Sequence, residues 1–442
     1  MTLEVRPVEE LSEFTDGVLA IGQYFGMVAN EERMQRFADQ LPFERMHGAW
    51  SDGTVVGGAG AFEFNLTVPG GDLRTAGATV VGVLPTHRRR GVLRALMRAQ
   101  LDDAHERGEP LAALWASEET IYGRFGYGLA SFCGEVSVPH EHNSFAQPFE
   151  PQGTLRLIES DEALEAIPPV FERIRLDWPG MFSRSRLWWE NREIADPEER
   201  RDGAGPKRWV ALERDGSLEG YAVYRHKPGF EAGTTNAELR VLEALGTTPE
   251  ALRDLWAYLL AIDWIATVKS SLLPPDHALF MLLATPRRAR YRMGDGLWVR
   301  LLDVGAALSG RSYQGDDPIV FDVSDDFCPW NEGRWKLEGG RAERSKEEPD
   351  LRLPVQSLGS AFLGGVSFAA LRRAGRLAEL KEGAIARATR SSAGTAIPGA
   401  PRSSEVPIRV RPATQAMMTL IGFRFDPWRR GRRRQSRHRR RM

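Results

Sequence analysis

The feature that most constrains this 442-residue chain is a predicted strand that passes into a helix through arginine and glycine. Thr79–Leu84 is a short apolar run that predicts a buried strand, and Pro85–His87 predicts a turn. Arg88-Arg89-Arg90-Gly91 follows, and apolar residues then recur at helical spacing from Val92 to Ala104. A helix that begins here leaves backbone N–H groups unpaired at the positive end of its dipole. The junction therefore favours binding of a phosphate or pyrophosphate, to which arginines add charge-assisted hydrogen bonds.

The residues around this junction resemble a known family. The Gln/Arg-x-x-Gly-x-Gly/Ala signature of the GNAT superfamily of N-acetyltransferases corresponds here to Arg88-x-x-Gly91-x-Leu93, which departs at its last position. A longer set of segments is similar to the Eis (enhanced intracellular survival) family of bacterial acetyltransferases. These segments are Val81–Gly91, Ala116–Glu118, Ile121–Tyr127, Phe327–Gly333 and Ala361–Gly365. The resemblance covers about residues 1–386.

The resemblance implies an α/β fold class with mixed α+β sheets. It implies a catalytic GNAT acetyltransferase domain at 1–140, a second GNAT-like domain without a cofactor site at 153–290, and a domain similar to sterol carrier proteins at 296–388. The composition of residues 389–442 predicts a disordered, low-complexity, Arg-rich tail. The residue pattern itself suggests the duplication. Strands are predicted around the Asp215-Gly216 turn, and a helix is predicted over 249–266 with Thr248 as its N-cap. This second unit lacks the arginine-glycine cluster.

From residue 296 onward the pattern predicts a small α+β unit. Trp298–Leu302 is predicted as its first strand, and Ser357–Arg373 and Leu377–Ala388 are predicted as helices. The likeness to sterol carrier proteins comes from the family resemblance and not from this pattern.

The resemblance also assigns residues to the chemistry. Tyr122 corresponds to the tyrosine that donates a proton to the departing thiolate of coenzyme A. The residues that would contact acetyl-CoA are Val81, Gly82, Val83, Arg89, Arg90, Gly91, Val92, Leu93, Arg94, Ser117 and Glu118. In the Eis family the carboxylate of the chain terminus accepts the proton of the amine, which formally assigns this role to Met442. A water chain to Glu118 is the alternative.

The end of the chain departs from the family. Residues 387–442 hold fifteen arginines against Glu405 and Asp426, a net charge of +13. Because the whole chain carries −1, residues 1–386 carry −14. Positive charge near the Met442 carboxylate lowers its pKa and makes it a poorer base. An altered reading frame near the end of the gene is preferred over a real extension, because a GC-rich coding sequence read out of frame often yields Arg/Pro/Ser runs.

The predicted function is acetyl-CoA-dependent N-acetylation of primary amines, without a metal. An acidic body attracts cationic acceptors such as polyamines, aminoglycosides or lysine side chains. The alternatives are an inactive oligomeric scaffold and a protein that binds anionic partners, including nucleic acid, through the tail. The resemblance implies a homo-oligomer, a hexamer in the family. Two cysteines without metal-ligand spacing and the absence of a signal segment predict a cytoplasmic protein without a membrane anchor.

Overall fold

The structure is a computed structural model that describes residues 3–392. Residues 393–442, and with them most of the predicted tail and Met442, lie outside the described residues. Residues 3–139 form, in order, β1 (Leu3–Pro7), α1 (Leu11–Gly22), α2 (Glu31–Ala38), β2 (Met46–Ser51), β3 (Thr54–Val68), β4 (Gly71–Val83), α3 (Val92–Glu106), β5 (Leu111–Trp115), α4 (Glu119–Tyr122), β6 (Gly128–Leu129) and β7 (Phe132–Pro139).

The middle of the chain repeats this order of strands and helices. Residues 154–295 form β8 (Thr154–Ile158), α5 (Ser160–Leu176), α6 (Arg186–Trp188), β9 (Arg208–Arg214), β10 (Ser217–Lys227), β11 (Phe230–Glu231), β12 (Thr234–Thr235), β13 (Glu238–Gly246), α7 (Pro249–Ala261), β14 (Thr267–Leu273), α8 (Leu279–Leu282) and β15 (Arg292–Asp295). A π-helical stretch, Trp189–Ile194, directly continues α6.

The last described part is a smaller α+β unit. It contains β16 (Leu297–Leu301), α9 (Val304–Ser309), β17 (Ile319–Ser324), β18 (Gly333–Glu338), β19 (Arg341–Arg344), β20 (Leu351–Pro354), α10 (Val355–Phe362), α11 (Phe368–Arg373), β21 (Ala378–Glu379) and α12 (Ala384–Ser392).

Three larger sheets organise these elements. The first has the strand order β1-β2-β3-β4-β5-β16-β6, the second β15-β7-β14-β13-β10-β9-β8, and the third β19-β18-β17-β20-β21. Within the described residues, each of the two seven-stranded sheets contains one parallel pair, β4–β5 and β13–β14, among antiparallel neighbours. The mixed α/β class and the tandem arrangement predicted from the sequence are confirmed.

Two Asp-Gly hairpin turns have a left-handed backbone conformation, and one of them is the predicted turn at Asp215-Gly216. Asp52 and Gly53, between β2 and β3, have φ of 51° and 80°. Asp215 and Gly216, between β9 and β10, have φ of 51° and 74°. Asp and Gly tolerate this left-handed region, and two such residues in succession match the right-handed twist of the flanking strands.

Several predicted elements differ from the observed ones. The predicted first strand of the third domain, observed as β16, lies in the first sheet, where it pairs with β5 and β6. The helix predicted over 357–373 is two helices, because Gly364 has a φ of 85° and ends α10. The helix predicted over 377–388 begins only at Ala384, since β21 pairs with β20 before it.

Two of the sheets contain strands from more than one predicted domain. β7, inside the predicted first domain, pairs with β14 and β15 in the second sheet, and β16 crosses to the first sheet. One buried apolar cluster runs from Phe14 and Phe62 of the first part to Phe321 and Phe362 of the last part. Strand exchange and a shared core therefore join the three parts, and the domain boundaries stay a prediction.

Candidate active site

The candidate site is a gap between two parallel strands. β4 and β5 pair only at Thr75–Gly77 of β4, opposite Leu111–Ala113 of β5. Within residues 3–392, the rest of β4 has no strand partner on its β5 side, although it continues to Val83. Apart from the Val83 oxygen, which accepts a hydrogen bond from the Tyr24 hydroxyl, alternate backbone N–H and C=O groups of residues 78–83 therefore face the gap without a strand partner.

A β-bulge marks the same stretch of β4. The register with β3 pairs Gly60 with Thr79 and Gly58 with Gly82, so β4 carries one extra residue between these pairs. Val80 lies there with a φ of 47°, an uncommon conformation for a β-branched residue. Bulges bend a strand and re-aim its groups, which fits a strand that turns away from β5.

Glycines hold this bent strand close to its neighbours. A Cβ added at Gly82 would lie 2.4 Å from Cβ of Ile21 in α1, and one at Gly58 would lie 2.4 Å from the Gly17 oxygen. The glycine cluster of β3, Gly57 to Gly60, therefore forms a close-packed wall. The Tyr24 hydroxyl donates a hydrogen bond to the Val83 oxygen at 2.9 Å, which fixes the end of β4.

The end of β4 leads into the helix start that the sequence singled out. Arg89 has a φ of 62° and Gly91, the N-cap of α3, has a φ of 85°. No side chain caps the first turn of α3, and nothing lies within 4 Å of a Cβ added at Gly91. Arg88–Gly91 is exposed. The first N–H groups of α3 thus open towards solvent beside three guanidinium groups.

The equivalent helix of the second sheet, α7, has a capped N-terminus. α7 begins at Pro249, which has no N–H, and the Thr248 hydroxyl accepts a hydrogen bond from the Ala251 N–H at 3.1 Å. Glu250 adds a negative charge to its first turn. These features satisfy the helix terminus internally and disfavour an anion there.

Tyr122 is buried where the gap begins. Its side chain is 6% exposed and belongs to the apolar cluster that also contains Ala78 of β4, Met97 of α3 and Leu114 of β5. Ala78 and Leu114 are the first residues beyond the last β4–β5 pair. Burial raises the pKa of the Tyr122 phenol to about 12, so the hydroxyl carries its proton at neutral pH.

The residues just after Tyr122 pack against Tyr127 and against the buried guanidinium group of Arg300. The Tyr127 ring lies 5.9 Å from the Tyr122 ring in an edge-to-face arrangement. A Cβ at Gly126 would lie 2.4 Å from Nη1 of Arg300, so this guanidinium rests against the main chain there. Arg300 is fully buried and donates from Nη2 to Oδ2 of Asp325 at 2.6 Å.

The structure brings most of the predicted cofactor-binding residues to the edges of the gap. Val81, Gly82 and Val83 lie on the unpaired edge of β4, and Arg89 to Arg94 form the turn and the start of α3. Ser117 and Glu118 are exposed between β5 and α4, and Glu118 accepts a hydrogen bond from the Thr120 hydroxyl at 2.7 Å. Met442 lies outside the described residues, so the structure gives it no position.

Sequence reasoning missed the groups that shape this site from a distance. Tyr24, Arg300 and Asp325 are far from the motif in the chain, and no local pattern identifies their partners. The conformation of Val80 could not be expected either, since valine rarely adopts it. The run of small residues from Gly57 to Gly60 was the available signal for the close approach of α1.

Both thiols are unsuitable as nucleophiles. Cys133 and Cys328 are buried and free. Burial raises the pKa of Cys133 to about 12, and burial also raises the pKa of Cys328. Protonated thiols react poorly. Within residues 3–392, no three His, Cys, Asp or Glu side chains lie together as a metal site, and no helix is long and apolar enough to cross a membrane.

Comparison with known families agrees with this geometry. Residues 4–130 and 180–301 each match an acetyltransferase (GNAT) domain family, and residues 304–398 match the sterol carrier protein domain family. A strand gap followed by an open helix terminus, in a chain with these matches, defines a GNAT-type N-acetyltransferase with a duplicated fold.

Full-length relatives narrow the class. An uncharacterized N-acetyltransferase of Streptomyces avermitilis is 42% identical over 85% of this chain and 94% of its own length. N-acetyltransferase Eis of Mycobacterium tuberculosis is 34% identical over 75% of this chain and 81% of its own length. The crystal structure of Eis1 from Mycobacterium abscessus has a TM-score of 0.77 at 30% identity and covers 88% of this chain and 97% of that chain. The chain belongs to the Eis family of N-acetyltransferases.

Proposed function

We propose that the protein transfers an acetyl group directly from acetyl-CoA to a primary amine. The observation that carries this proposal is the continuous path from the unpaired edge of β4 to the uncapped start of α3. A thioester arm with amide groups can pair with the backbone of Val81–Val83 as an added strand would. A diphosphate can then accept hydrogen bonds from the N–H groups of residues 92–94.

Each group of proposed site residues has a different role in binding acetyl-CoA or in catalysis. Arg89, Arg90 and Arg94 supply positive charge for the diphosphate, and Gly91 lets the backbone approach it closely. Ser117 and Glu118 lie past β5, across the gap from β4. Tyr122 is placed at the narrow end of the gap, where the thioester would lie.

The reaction needs two proton transfers. The neutral amine forms a bond to the acetyl carbonyl carbon, and the carbon–sulfur bond breaks. The departing thiolate takes the proton of the Tyr122 phenol, and a base takes a proton from the amine. Glu118, through water, is the base among the described residues, and the terminal carboxylate of Met442 is the other candidate. Because both cysteines are buried thiols, direct transfer is favoured over an acetyl-enzyme.

The negative charge of residues 1–386 favours a cationic acetyl acceptor. The formal charge of −14 on residues 1–386 favours polyamines, aminoglycosides or lysine side chains over anionic amines in long-range attraction. The named relatives are N-acetyltransferases, which supports acyl transfer to nitrogen without fixing the amine. We also propose that the protein is cytoplasmic and assembles as a homohexamer. The second candidate function is that of a catalytically impaired oligomeric scaffold.

A thiol-release assay tests the function. Acetyl-CoA and a panel of amines, with spermine, an aminoglycoside and a lysine peptide among them, should give free coenzyme A only when enzyme and a suitable amine are both present. Mass spectrometry should show an acceptor heavier by one acetyl group. No turnover with any amine, together with no binding of coenzyme A in calorimetry, would count against the enzyme and favour the scaffold.

The glycine at the start of α3 gives a sharper test of where coenzyme A binds. We expect Gly91→Ala to weaken coenzyme A binding about tenfold, because a side chain resists the φ of 85° at a cost of ~1–2 kcal/mol and relaxation moves the first N–H groups of α3. Titration calorimetry measures the loss.

Gly108→Ala is the matched control. Gly108 follows the other end of α3, has a φ of 70° and has equally open surroundings. Its substitution should cost similar stability while coenzyme A affinity is unchanged. Equal affinities for wild type and both variants would show that the start of α3 is not the diphosphate site.

A further inference from the structure

A second cleft lies away from the β4–β5 gap, between α2 and the segment that follows α6. It has a volume of about 280 Å³. Its polar lining consists of Arg33, Arg36, Gln40, Asn191, Arg192 and Arg200 together with two carboxylates, Asp196 and Glu199. This volume is close to the lower end of the range for small-molecule pockets.

The cleft lies on the face of the first sheet opposite α3. The Cβ positions of Gly57 and Gly58 point to opposite faces, towards Leu96 of α3 and towards Gly17 of α1 respectively. Phe37 of α2 packs against Phe14 of α1, with ring centroids 5.4 Å apart. The cleft shares no lining residue with the turn at 88–91.

Most of its positive charge has no counter-ion. Within residues 3–392, no carboxylate lies within ion-pair distance of Arg33, Arg192 or Arg200. Arg192 donates from Nε to the Gln40 side chain at 2.9 Å, and Arg200 donates from Nη1 to the Asn191 oxygen at 3.2 Å. Both keep further guanidinium N–H groups for another partner.

The acidic residues near the cleft are already occupied or lie at its rim. Asp196 pairs with Arg225 and with Arg201, the latter at 3.3 Å, and accepts a hydrogen bond from the Lys207 N–H at 2.9 Å. Glu32 pairs with Arg36 at 3.4 Å on the exposed side of α2. Glu199 is exposed at the edge.

Three buried arginines elsewhere in the chain are, by contrast, each paired with a carboxylate. Arg45 pairs with Glu109 at 2.8 Å, Arg184 with Glu243 at 2.8 Å, and Arg300 with Asp325 at 2.6 Å. In the cleft, loss of water contact and repulsion from Arg200 and Arg33 lower the pKa of Arg192 to about 9. Burial and repulsion from Arg33 and Arg36 also lower the pKa of Arg200, and attraction from Glu199 and Glu193 offsets only part of this shift. The cluster therefore carries a repulsion that a bound anion would relieve.

We propose that this cleft binds the phosphate or pyrophosphate group of a small ligand. Guanidinium groups present planar, paired N–H donors that match phosphate oxygens. Four of them line this cleft beside only two carboxylates, Asp196 and Glu199, and Asp196 is already paired with Arg201 and Arg225. Arg192 is held in place by Gln40 and by the rings of Phe37 and Trp188, 5.6 and 5.9 Å from its guanidinium carbon. The cleft is thus built before the anion arrives.

Calorimetry with inorganic pyrophosphate tests the site in the full-length protein. Saturating coenzyme A is present throughout, and the variant Arg88→Gln/Arg89→Gln is measured as well, so that the turn at 88–91 does not contribute. We expect pyrophosphate to bind the wild type and this variant equally. Arg33→Gln/Arg200→Gln should bind it at least tenfold more weakly.

Two controls keep the result interpretable. Arg287→Gln/Arg288→Gln removes the same charge from exposed arginines elsewhere and should keep wild-type affinity. Without anion, Arg33→Gln/Arg200→Gln should melt no lower than wild type, because it removes repulsion, and pyrophosphate should no longer raise its melting temperature. The proposal is overturned if Arg33→Gln/Arg200→Gln and Arg287→Gln/Arg288→Gln bind pyrophosphate with equal affinity, or if the wild type does not bind it.

Discussion

Replacing Tyr122 by phenylalanine is expected to lower kcat about a hundredfold, the lower range of what a positioned general acid contributes. The phenol is buried at the narrow end of the β4–β5 gap, and its raised pKa keeps it protonated. Phenylalanine keeps the ring and its packing, so the affinity for coenzyme A should be unchanged. Steady-state kinetics with saturating amine, and calorimetry with coenzyme A, separate the two effects.

Tyr127→Phe is the matched control for this substitution. Tyr127 is buried in the same cluster, and its hydroxyl has no hydrogen-bond partner within the described residues. Its removal should leave kcat within about twofold and leave stability equal or higher, because an unsatisfied buried hydroxyl is unfavourable. If the two variants show the same kcat as wild type, Tyr122 is not the proton donor.

The pH dependence gives an independent check on Tyr122. A general acid must be protonated, so its contribution is lost only as pH rises through its pKa, here about 12. The rate profile should therefore show no fall between pH 7 and 10 that disappears in Tyr122→Phe. A fall in that range that is present in wild type and absent in the variant would mean that the phenol titrates with an ordinary pKa.

The helix start that holds the diphosphate in this proposal could be predicted because its signal is local. A strand, three arginines, a glycine and an amphipathic helix follow each other within about thirty residues. The turns at Asp52-Gly53 and Asp215-Gly216 were predictable for the same reason. Their conformations depend mainly on the residues that adopt them.

The gap itself could not be read from the sequence. It depends on where β5 stops pairing with β4, and β5 is held on its other side by β16, almost two hundred residues later. Periodicity finds a strand but not its sheet, which is why Trp298–Leu302 was predicted in a unit separate from the sheet that β16 joins. The arginine cleft has the same origin, since α2 and the segment 191–200 meet only in the folded chain.

Removing the carboxylate of Asp325 is expected to give the largest loss of stability. Asp325 accepts hydrogen bonds from Arg300 at 2.6 Å, from the Cys328 N–H at 3.0 Å and from the Asn331 amide at 3.1 Å. The Arg300 side chain is completely buried. Asp325→Ala leaves that guanidinium without a counter-ion, which should lower the free energy of unfolding by ~3–5 kcal/mol in urea titrations.

The neighbouring Asp326→Ala is the matched control for Asp325→Ala. Asp326 is exposed, and its loss should change stability by less than about 0.5 kcal/mol. Asp325→Ala should also affect the active site. The Arg300 guanidinium group rests against Gly126, which is next to Tyr127 and four residues after Tyr122. A lower kcat with unchanged coenzyme A affinity, measured below the unfolding transition, would identify Asp325 as a positioning residue. If stability falls while kcat is unchanged, the ion pair holds the last part of the chain in place without aligning Tyr122.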